Sequence, residues 1–83
     1  MKTINEIANF LNTNGIEVTV NSRYDSILEE EVQTISFNNS FDSMEFNYRG
    51  QLVHHAGIFC EPVIISKSRI KIYLKNLVAS VNK

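Results

Sequence analysis

Residues 32–55 read VQTISFNNSFDSMEFNYRGQLVHH, and most of the predicted sheet lies in this stretch. Apolar and polar side chains alternate over residues 34–37 and again over residues 43–48, which is typical of half-buried strands. Asn38-Asn39-Ser40 between the two runs has turn chemistry, and Arg49-Gly50 can close a tight hairpin into the residues that follow. The stretch predicts antiparallel strands joined by short turns.

A helix is predicted before these strands. Thr3-Ile4-Asn5-Glu6 fits a capping box, in which the Thr3 hydroxyl accepts from the Glu6 amide and the Glu6 carboxylate accepts from the Thr3 amide. Apolar residues then recur at helical spacing as far as Leu11, and Asn14-Gly15 supplies a left-handed stop. We therefore predict a helix over about residues 3–13.

Between this helix and the central strands, apolar residues alternate with polar ones over residues 16–20, which predicts a strand. Residues 21–25 have turn chemistry, and residues 26–31 fit either a loop or one helical turn. After the central strands, Ala56-Gly57 indicates a break or bulge. Pro62 cannot donate to a sheet ladder, so the apolar runs on its two sides predict an edge strand or a bend.

The C-terminal segment, residues 66–83, carries a helical stripe with Ser66 or Ser68 as its predicted N-cap. The stripe consists of Ile70, Tyr73, Leu74, Leu77, Val78 and Val81. A rival interpretation is a strand over residues 69–74, which also alternate, followed by a shorter helix. The longer pattern favours the helix, and a helix places Ile72 on its polar side as a contact residue.

These elements predict a single α+β domain over residues 1–83. Its expected architecture is a small antiparallel sheet of three to five strands, with an N-terminal and a C-terminal helix packed on one face. Hydrophobic residues make up 43% and charged residues 20% of the chain, which suits one modest globular core.

The single cysteine, Cys60, excludes an internal disulfide and therefore a disulfide-stapled secreted scaffold. Residues 1–14 contain no continuous apolar run of the kind that a signal peptide needs. No stretch approaches the roughly 20 apolar residues of a membrane span. We therefore expect a cytoplasmic protein with no membrane partner.

Charge is distributed unevenly although the net charge is only −1. Residues 1–65 carry three basic and nine acidic residues, a balance of −6, whereas residues 66–83 carry five basic residues and no acidic one. An acidic body with a basic C-terminal segment favours contact with a charged partner. The predicted partner-binding residues are Glu29, Glu30, Glu31, Arg49, Lys67, Arg69, Lys71, Ile72 and Lys75.

Residues that could carry chemistry are few. His54 and His55 are consecutive on a predicted strand, so they point to opposite faces and do not grip one metal ion together. Ile58-Phe59-Cys60 has the character of core, which favours a buried structural thiol over a nucleophile. We expect no metal, no cofactor and no catalytic residue.

Three functions are weighed. The first is a non-enzymatic protein-binding module, such as an inhibitor, adaptor or regulatory factor; the short chain, rich in Asn, Ile, Lys and Ser, also suggests a phage or other mobile element. The second is nucleic-acid binding by the basic C-terminal segment, whose lysines are otherwise simply solvated. The third is a small enzyme using Cys60 with His54 or His55. A homodimer is compatible with the first two, through Ile72 or the edge formed by residues 58–65.

Overall fold

The computed structural model describes residues 3–82 and contains two helices and five strands. The helices are α1 (Ile4–Thr13) and α2 (Ile70–Val81), and a short 3-10 turn (Lys67–Arg69) leads into α2. The strands are β1 (Val18–Asp25), β2 (Glu30–Phe37), β3 (Ser43–Phe46), β4 (Leu52–His55) and β5 (Val63–Ile65). All five belong to one antiparallel sheet in the order β1-β2-β3-β4-β5. This confirms the predicted α+β fold with a helix at each end.

The core lies on one face of the sheet because the register aligns apolar residues across all five strands. One row runs through Val20, Ile35, Met44, His54 and Val63, whose members are direct cross-strand partners. Partners in an antiparallel pair point to the same face, so this row and its neighbours form a continuous apolar surface. Both helices bury their stripes against it in a single hydrophobic cluster.

Helix α1 begins and ends where the sequence predicts. The Thr3 hydroxyl accepts a hydrogen bond from the Glu6 amide at 3.2 Å, which satisfies one of the unpaired amides of the first turn. Asn14 is the C-cap, and Gly15 takes a φ of +86°, which a residue with a Cβ rarely adopts. The predicted stop at Asn14-Gly15 is confirmed.

Helix α2 runs in the same direction as α1. In this five-strand antiparallel meander, β1 and β5 run in the same direction. Helix α1 ends where β1 starts, and α2 starts where β5 ends. Both helices therefore run opposite to β1 and β5. Their C-terminal ends meet, and the Asn82 side-chain amide donates to the Asn14 carbonyl at 3.0 Å. We call the end of the sheet that holds the β1–β2 turn, the β3–β4 loop and the start of α2 the hairpin end.

Three predictions at the C-terminus need correction or completion. The helix over residues 70–81 is confirmed, so the rival strand over residues 69–74 is wrong. Neither predicted serine caps α2 with its side chain: Ser66 precedes the 3-10 turn, and the residue before α2 is Arg69. Val81, assigned to the buried stripe, is 56% exposed because it lies at the end of the helix.

One predicted turn and the end of one predicted strand are also wrong. Residues 21–25 are not a turn, because they pair with residues 30–34 of β2 and extend β1 to Asp25. The reversal lies at residues 26–29 instead. The alternation over residues 43–48 predicts that Tyr48 belongs to the same strand as Phe46. Strand β3 instead ends at Phe46, and Tyr48 lies in the following loop, where it is 80% exposed.

The segment predicted to be core around Cys60 is on the surface. Residues 57–60 form a turn and a bend outside the sheet, and all four are exposed. Phe59 is 97% exposed, and Cys60 is an exposed free thiol rather than the expected buried one. Within residues 3–82, no helix has the length and apolar character that crossing a membrane requires.

Candidate protein-binding surfaces

The β1–β2 hairpin projects from the sheet as an acidic arm, which we define as residues 24–31. Strands β1 and β2 have eight residues each, whereas β3 has four and pairs with β2 only through residues 34–36. The outer half of the hairpin is therefore a two-stranded ribbon with no third strand beside it. Leu28, Glu30 and Glu31 line a pocket together with the start of α1 and residues 46–48, so the tip and the β1 side of the ribbon are the parts open to a partner.

The turn of the acidic arm is held in shape by its own backbone and side chains. An Asp25 carboxylate oxygen accepts from the amides of Ile27 and Leu28 at 2.9 and 3.2 Å, which fixes the first part of the turn. Glu29 closes the turn with a φ of +55°, and it is the only non-glycine residue with positive φ among residues 3–82. A glutamate in this conformation carries backbone strain.

The tip of the acidic arm combines exposed apolar side chains with unpaired carboxylates. Ile27 is 91% exposed, and Tyr24 and Leu28 are also exposed. The arm carries four carboxylates, and none lies within 4.0 Å of a cationic group of residues 3–82. These are Asp25, Glu29, Glu30 and Glu31. The predicted glutamates Glu29–Glu31 therefore belong to a surface that also contains apolar contacts.

A second surface lies at the opposite edge of the sheet, where α2 passes along β5. It contains a groove of about 640 Å³, which we call the basic groove. Ile64 and Ile72 contribute apolar walls and are 61% and 62% exposed. The full lining is Gln51, Ile64, Ile65, Ser66, Arg69, Ile72, Tyr73 and Asn76. The predicted exposure of Ile72 is confirmed, and its side chain forms part of the wall of the groove.

Four cationic side chains lie on the 3-10 turn and the first half of α2, and of these Arg69 lines the basic groove. All four are exposed, and no carboxylate of residues 3–82 lies within 4.0 Å of them. They are Lys67, Arg69, Lys71 and Lys75. The described part of the chain contains no ion pair between these cations and the acidic residues. Their charge is available to a partner.

Arg49 lies between the two charged surfaces, at the tip of the β3–β4 loop. Its guanidinium stacks over the Tyr48 ring at 5.3 Å and its Nε donates to the Tyr48 hydroxyl at 3.0 Å. Lys67 reaches the same loop, since a Cβ on Gly50 would lie 2.5 Å from Lys67 Cε. Arg49 is exposed as predicted, and it extends the cationic side of the hairpin end.

The predicted partner-binding residues are therefore not one site. The acidic arm belongs to β1 and β2, the basic groove belongs to β5 and α2, and β3 and β4 separate them. With neighbouring strands about 4.8 Å apart, β2 and β5 are about 14 Å apart. At that distance the two charge sets of one chain do not neutralise each other by contact.

A buried polar cluster around His54 stabilises the other end of the sheet. His54 Nε2 lies 3.1 Å from an Asp42 carboxylate oxygen, and His54 Nδ1 lies 2.6 Å from the Tyr73 hydroxyl. A carboxylate can only accept, so in the neutral imidazole Nε2 donates to Asp42 and Nδ1 accepts from Tyr73. Phe37 stacks on the imidazole at 5.8 Å. The cluster joins the β2–β3 loop, β4 and α2.

Burial raises the pKa of the Tyr73 hydroxyl, and the nearby negative charge of Asp42 raises it further. The second Asp42 oxygen accepts from the Gly57 amide at 3.0 Å, so the same carboxylate also holds the β4–β5 loop. Sequence reasoning missed Asp42 and Tyr73 as partners of His54. The one available signal was a tyrosine in an otherwise apolar helical stripe, because a buried hydroxyl needs a partner.

His55 confirms the prediction that the two histidines point to opposite faces. It lies on the open face of the sheet, 3.3 Å from a Glu45 carboxylate oxygen, and Arg23 contacts the other Glu45 oxygen at 3.4 Å. Among residues 3–82 no three His, Cys, Asp or Glu side chains form a group that could hold a metal ion. No hydrogen bond within this range joins Cys60 to either histidine.

Comparison of the chain with protein-family models, with curated proteins and with solved structures found no match in any of the three. The functional proposal therefore depends on the two surfaces described above. Both are exposed, both contain apolar side chains, and they carry opposite charge.

Proposed function

We propose that this chain is a non-enzymatic protein-binding module, and that the acidic arm is its principal contact surface. One observation carries the proposal: Ile27 is 91% exposed at the tip of a projecting hairpin, between carboxylates that have no cationic partner among residues 3–82. An apolar anchor surrounded by charge is the composition of a contact surface.

The conformation of the arm supports this proposal. A strained turn persists only when something other than local preference maintains it, and such turns are common in segments that contact ligands. Glu29 occupies the position of positive φ where glycine or asparagine would be less strained. The Glu29 side chain adds negative charge to the tip of the arm.

The chemistry of the arm defines the partner it fits. Four carboxylates call for a surface rich in arginine and lysine, and the exposed Ile27 and Leu28 call for an apolar pocket within that surface. Charge complementarity of this kind raises the rate of association and makes it dependent on salt. The partner is therefore a basic protein with an apolar depression.

A photo-crosslinking residue placed at Ile27 tests the proposal in the cell that expresses the protein. The matched control is the same residue at Asn9, which is exposed on α1 and distant in sequence from the arm. We expect position 27, and not position 9, to be crosslinked to a distinct protein. Identical crosslinks at both positions, or none at position 27, would contradict the proposal.

Charge reversal tests the same surface independently. Glu30→Lys with Glu31→Lys should abolish the crosslink at Ile27, because the two lysines offset the remaining carboxylates and remove the net negative charge of the arm. Glu17→Lys with Glu61→Lys changes the net charge equally at exposed positions outside the arm and should leave the crosslink intact. An equal loss in both double variants would show that net charge alone governs binding.

A second candidate function is nucleic-acid binding by the cations around α2, because all four lack a carboxylate partner within residues 3–82. Lys67, Lys71 and Lys75 recur every four residues, so they follow one side of the 3-10 turn and helix at about 6 Å intervals. Lys67→Glu with Lys71→Glu should weaken duplex binding and reduce its salt dependence. Absence of any retardation of duplex DNA or RNA by the unmodified protein at low salt would eliminate this candidate.

A further inference from the structure

We propose that the basic groove receives the acidic arm of a second copy of the same chain, so that the protein associates head to tail. This inference rests on the proposed function in one respect, since it takes the acidic arm as a contact surface. It goes further by identifying the occupant of the basic groove.

The charges of the two surfaces are complementary, and neither set is paired within residues 3–82. The acidic arm carries four carboxylates. The 3-10 turn and α2 carry four cations, of which Arg69 lines the groove, and none of these eight side chains has an ion-pair partner among residues 3–82. Strands β3 and β4 separate the two sets within one chain. They can therefore neutralise each other only when the arm of one molecule meets the groove of another.

The apolar parts are complementary as well. Ile64 and Ile72 are exposed in the walls of the groove, and Ile27 and Leu28 are exposed on the arm. In β1 alternation places Tyr24 on the same face as Val20, the face that carries the helices. An arm lying against β5 therefore directs Tyr24 towards the groove beside α2.

The backbone offers a third match. β1 and β5 are the two edge strands of the sheet, so each has one side without a strand partner. The arm includes the last residues of β1, and an edge strand readily pairs with an edge strand of another chain. Pro62 and the three-residue length of β5 limit this pairing to a short stretch.

The arrangement of the surfaces determines the type of assembly. Arm and groove are different patches at opposite edges, so each contact leaves one free arm and one free groove. A single arm–groove contact between each pair of copies therefore extends into a ring or an open chain. Because the edge pairing is short, the interface belongs to the small class that buries less than about 1,200 Å², and we expect weak, concentration-dependent assembly.

Light scattering of the purified chain over a series of protein concentrations measures this directly. The series is repeated at about 0.01 M and about 1 M salt, where the Debye length is about 30 Å and about 3 Å. We expect the average mass to rise with concentration at low salt and to return towards the monomer at high salt. A monomer at every concentration in low salt would overturn the inference.

A mixing experiment identifies the two surfaces. The arm variant carries Glu30→Lys and Glu31→Lys, and the groove variant carries Lys67→Glu and Arg69→Glu. Each alone should remain monomeric, because the two substitutions remove the net charge by which the altered surface attracts the unaltered one. An equal mixture should regain association, since the groove of the first variant accepts the arm of the second. The Glu17→Lys, Glu61→Lys variant should associate as the unmodified chain does.

These outcomes separate the inference from the proposed function. A chain that stays monomeric but is crosslinked through Ile27 to another protein disproves self-association and leaves the proposed function standing. A chain that associates, and whose Ile27 position is crosslinked only to itself, supports this inference and disproves a distinct protein partner. If the mixture of the two variants fails to associate while the unmodified chain does, the arm and groove are not the contact surfaces.

Discussion

The Tyr73 hydroxyl lies 2.6 Å from His54 Nδ1, which joins helix α2 to strand β4 by a hydrogen bond inside the core. His54 is 4% exposed, so its two ring nitrogens depend on protein partners, and Asp42 supplies the other at 3.1 Å. No buried side-chain nitrogen or oxygen among residues 3–82 lacks a partner. A buried polar network that is fully satisfied stabilises one specific packing of the core.

Removing the Tyr73 hydroxyl should therefore destabilise the protein. Tyr73→Phe leaves His54 Nδ1 buried without its donor, and we expect a loss of about 1–3 kcal/mol in the free energy of unfolding. Tyr48→Phe is the matched control because Tyr48 is 80% exposed, and it should change this free energy by less than about 0.5 kcal/mol. Urea denaturation of the three proteins measures both effects. Equal stability of the two variants would show that the His54–Tyr73 bond contributes nothing.

Alkaline pH should destabilise the protein through the same residue. The pKa of Tyr73 is raised in the folded chain above its ordinary value of 10.0, first by burial and then by Asp42. The native state therefore holds the phenolic proton more tightly than the unfolded state does. This contribution is fully present below pH 10.0 and is lost as the pH rises through the higher native pKa. The free energy of unfolding should fall above pH 10.0, and it should fall less steeply in Tyr73→Phe.

One substitution in the turn of the acidic arm should raise the stability of the protein. Glu29 has a φ of +55°, so Glu29→Gly relieves backbone strain and should raise the free energy of unfolding by about 0.5–1 kcal/mol. Glu30→Gly is the control: Glu30 is the first residue of β2, where glycine should cost about 0.5–1 kcal/mol. Thermal and urea unfolding measure the two changes. Destabilisation by both substitutions would show that the turn is not strained.

The surface position of Cys60 predicts ready chemical modification. Because the thiol is exposed in the native state, an aromatic disulfide reagent should react with it without unfolding of the chain. We expect the folded protein to react at a rate within about tenfold of the urea-unfolded chain, since access is not limiting in either state. Protection by several orders of magnitude would indicate the buried thiol that the sequence alone suggested.

Regular elements with long patterns could be predicted from the sequence. The capping residues and apolar stripe of α1 are local features, and the structure confirms both. The length of β1 could not be predicted, because polar residues 21–25 are extended only through their partners in β2. Cys60 was misassigned for a related reason: an apolar tripeptide does not show whether another element covers it.

The candidate surfaces show the same division. The exposure of Glu29–Glu31 and Ile72 could be predicted, because charged side chains remain solvated and a helical stripe defines the polar side of its helix. The sequence did not show that these glutamates lie at the tip of a projecting arm, because the projection results from β3 being shorter than β2.

The α+β class, the two helices and the opposite charge of the two parts of the chain could all be predicted from local patterns. These depend on periodicity, capping and composition, which are properties of neighbouring residues. Only the tertiary structure decided that Asp42, His54 and Tyr73 meet, and that the acidic arm and the basic groove lie at opposite edges. Strand register and the packing of α2 set those distances, because they bring together residues that are remote in the chain.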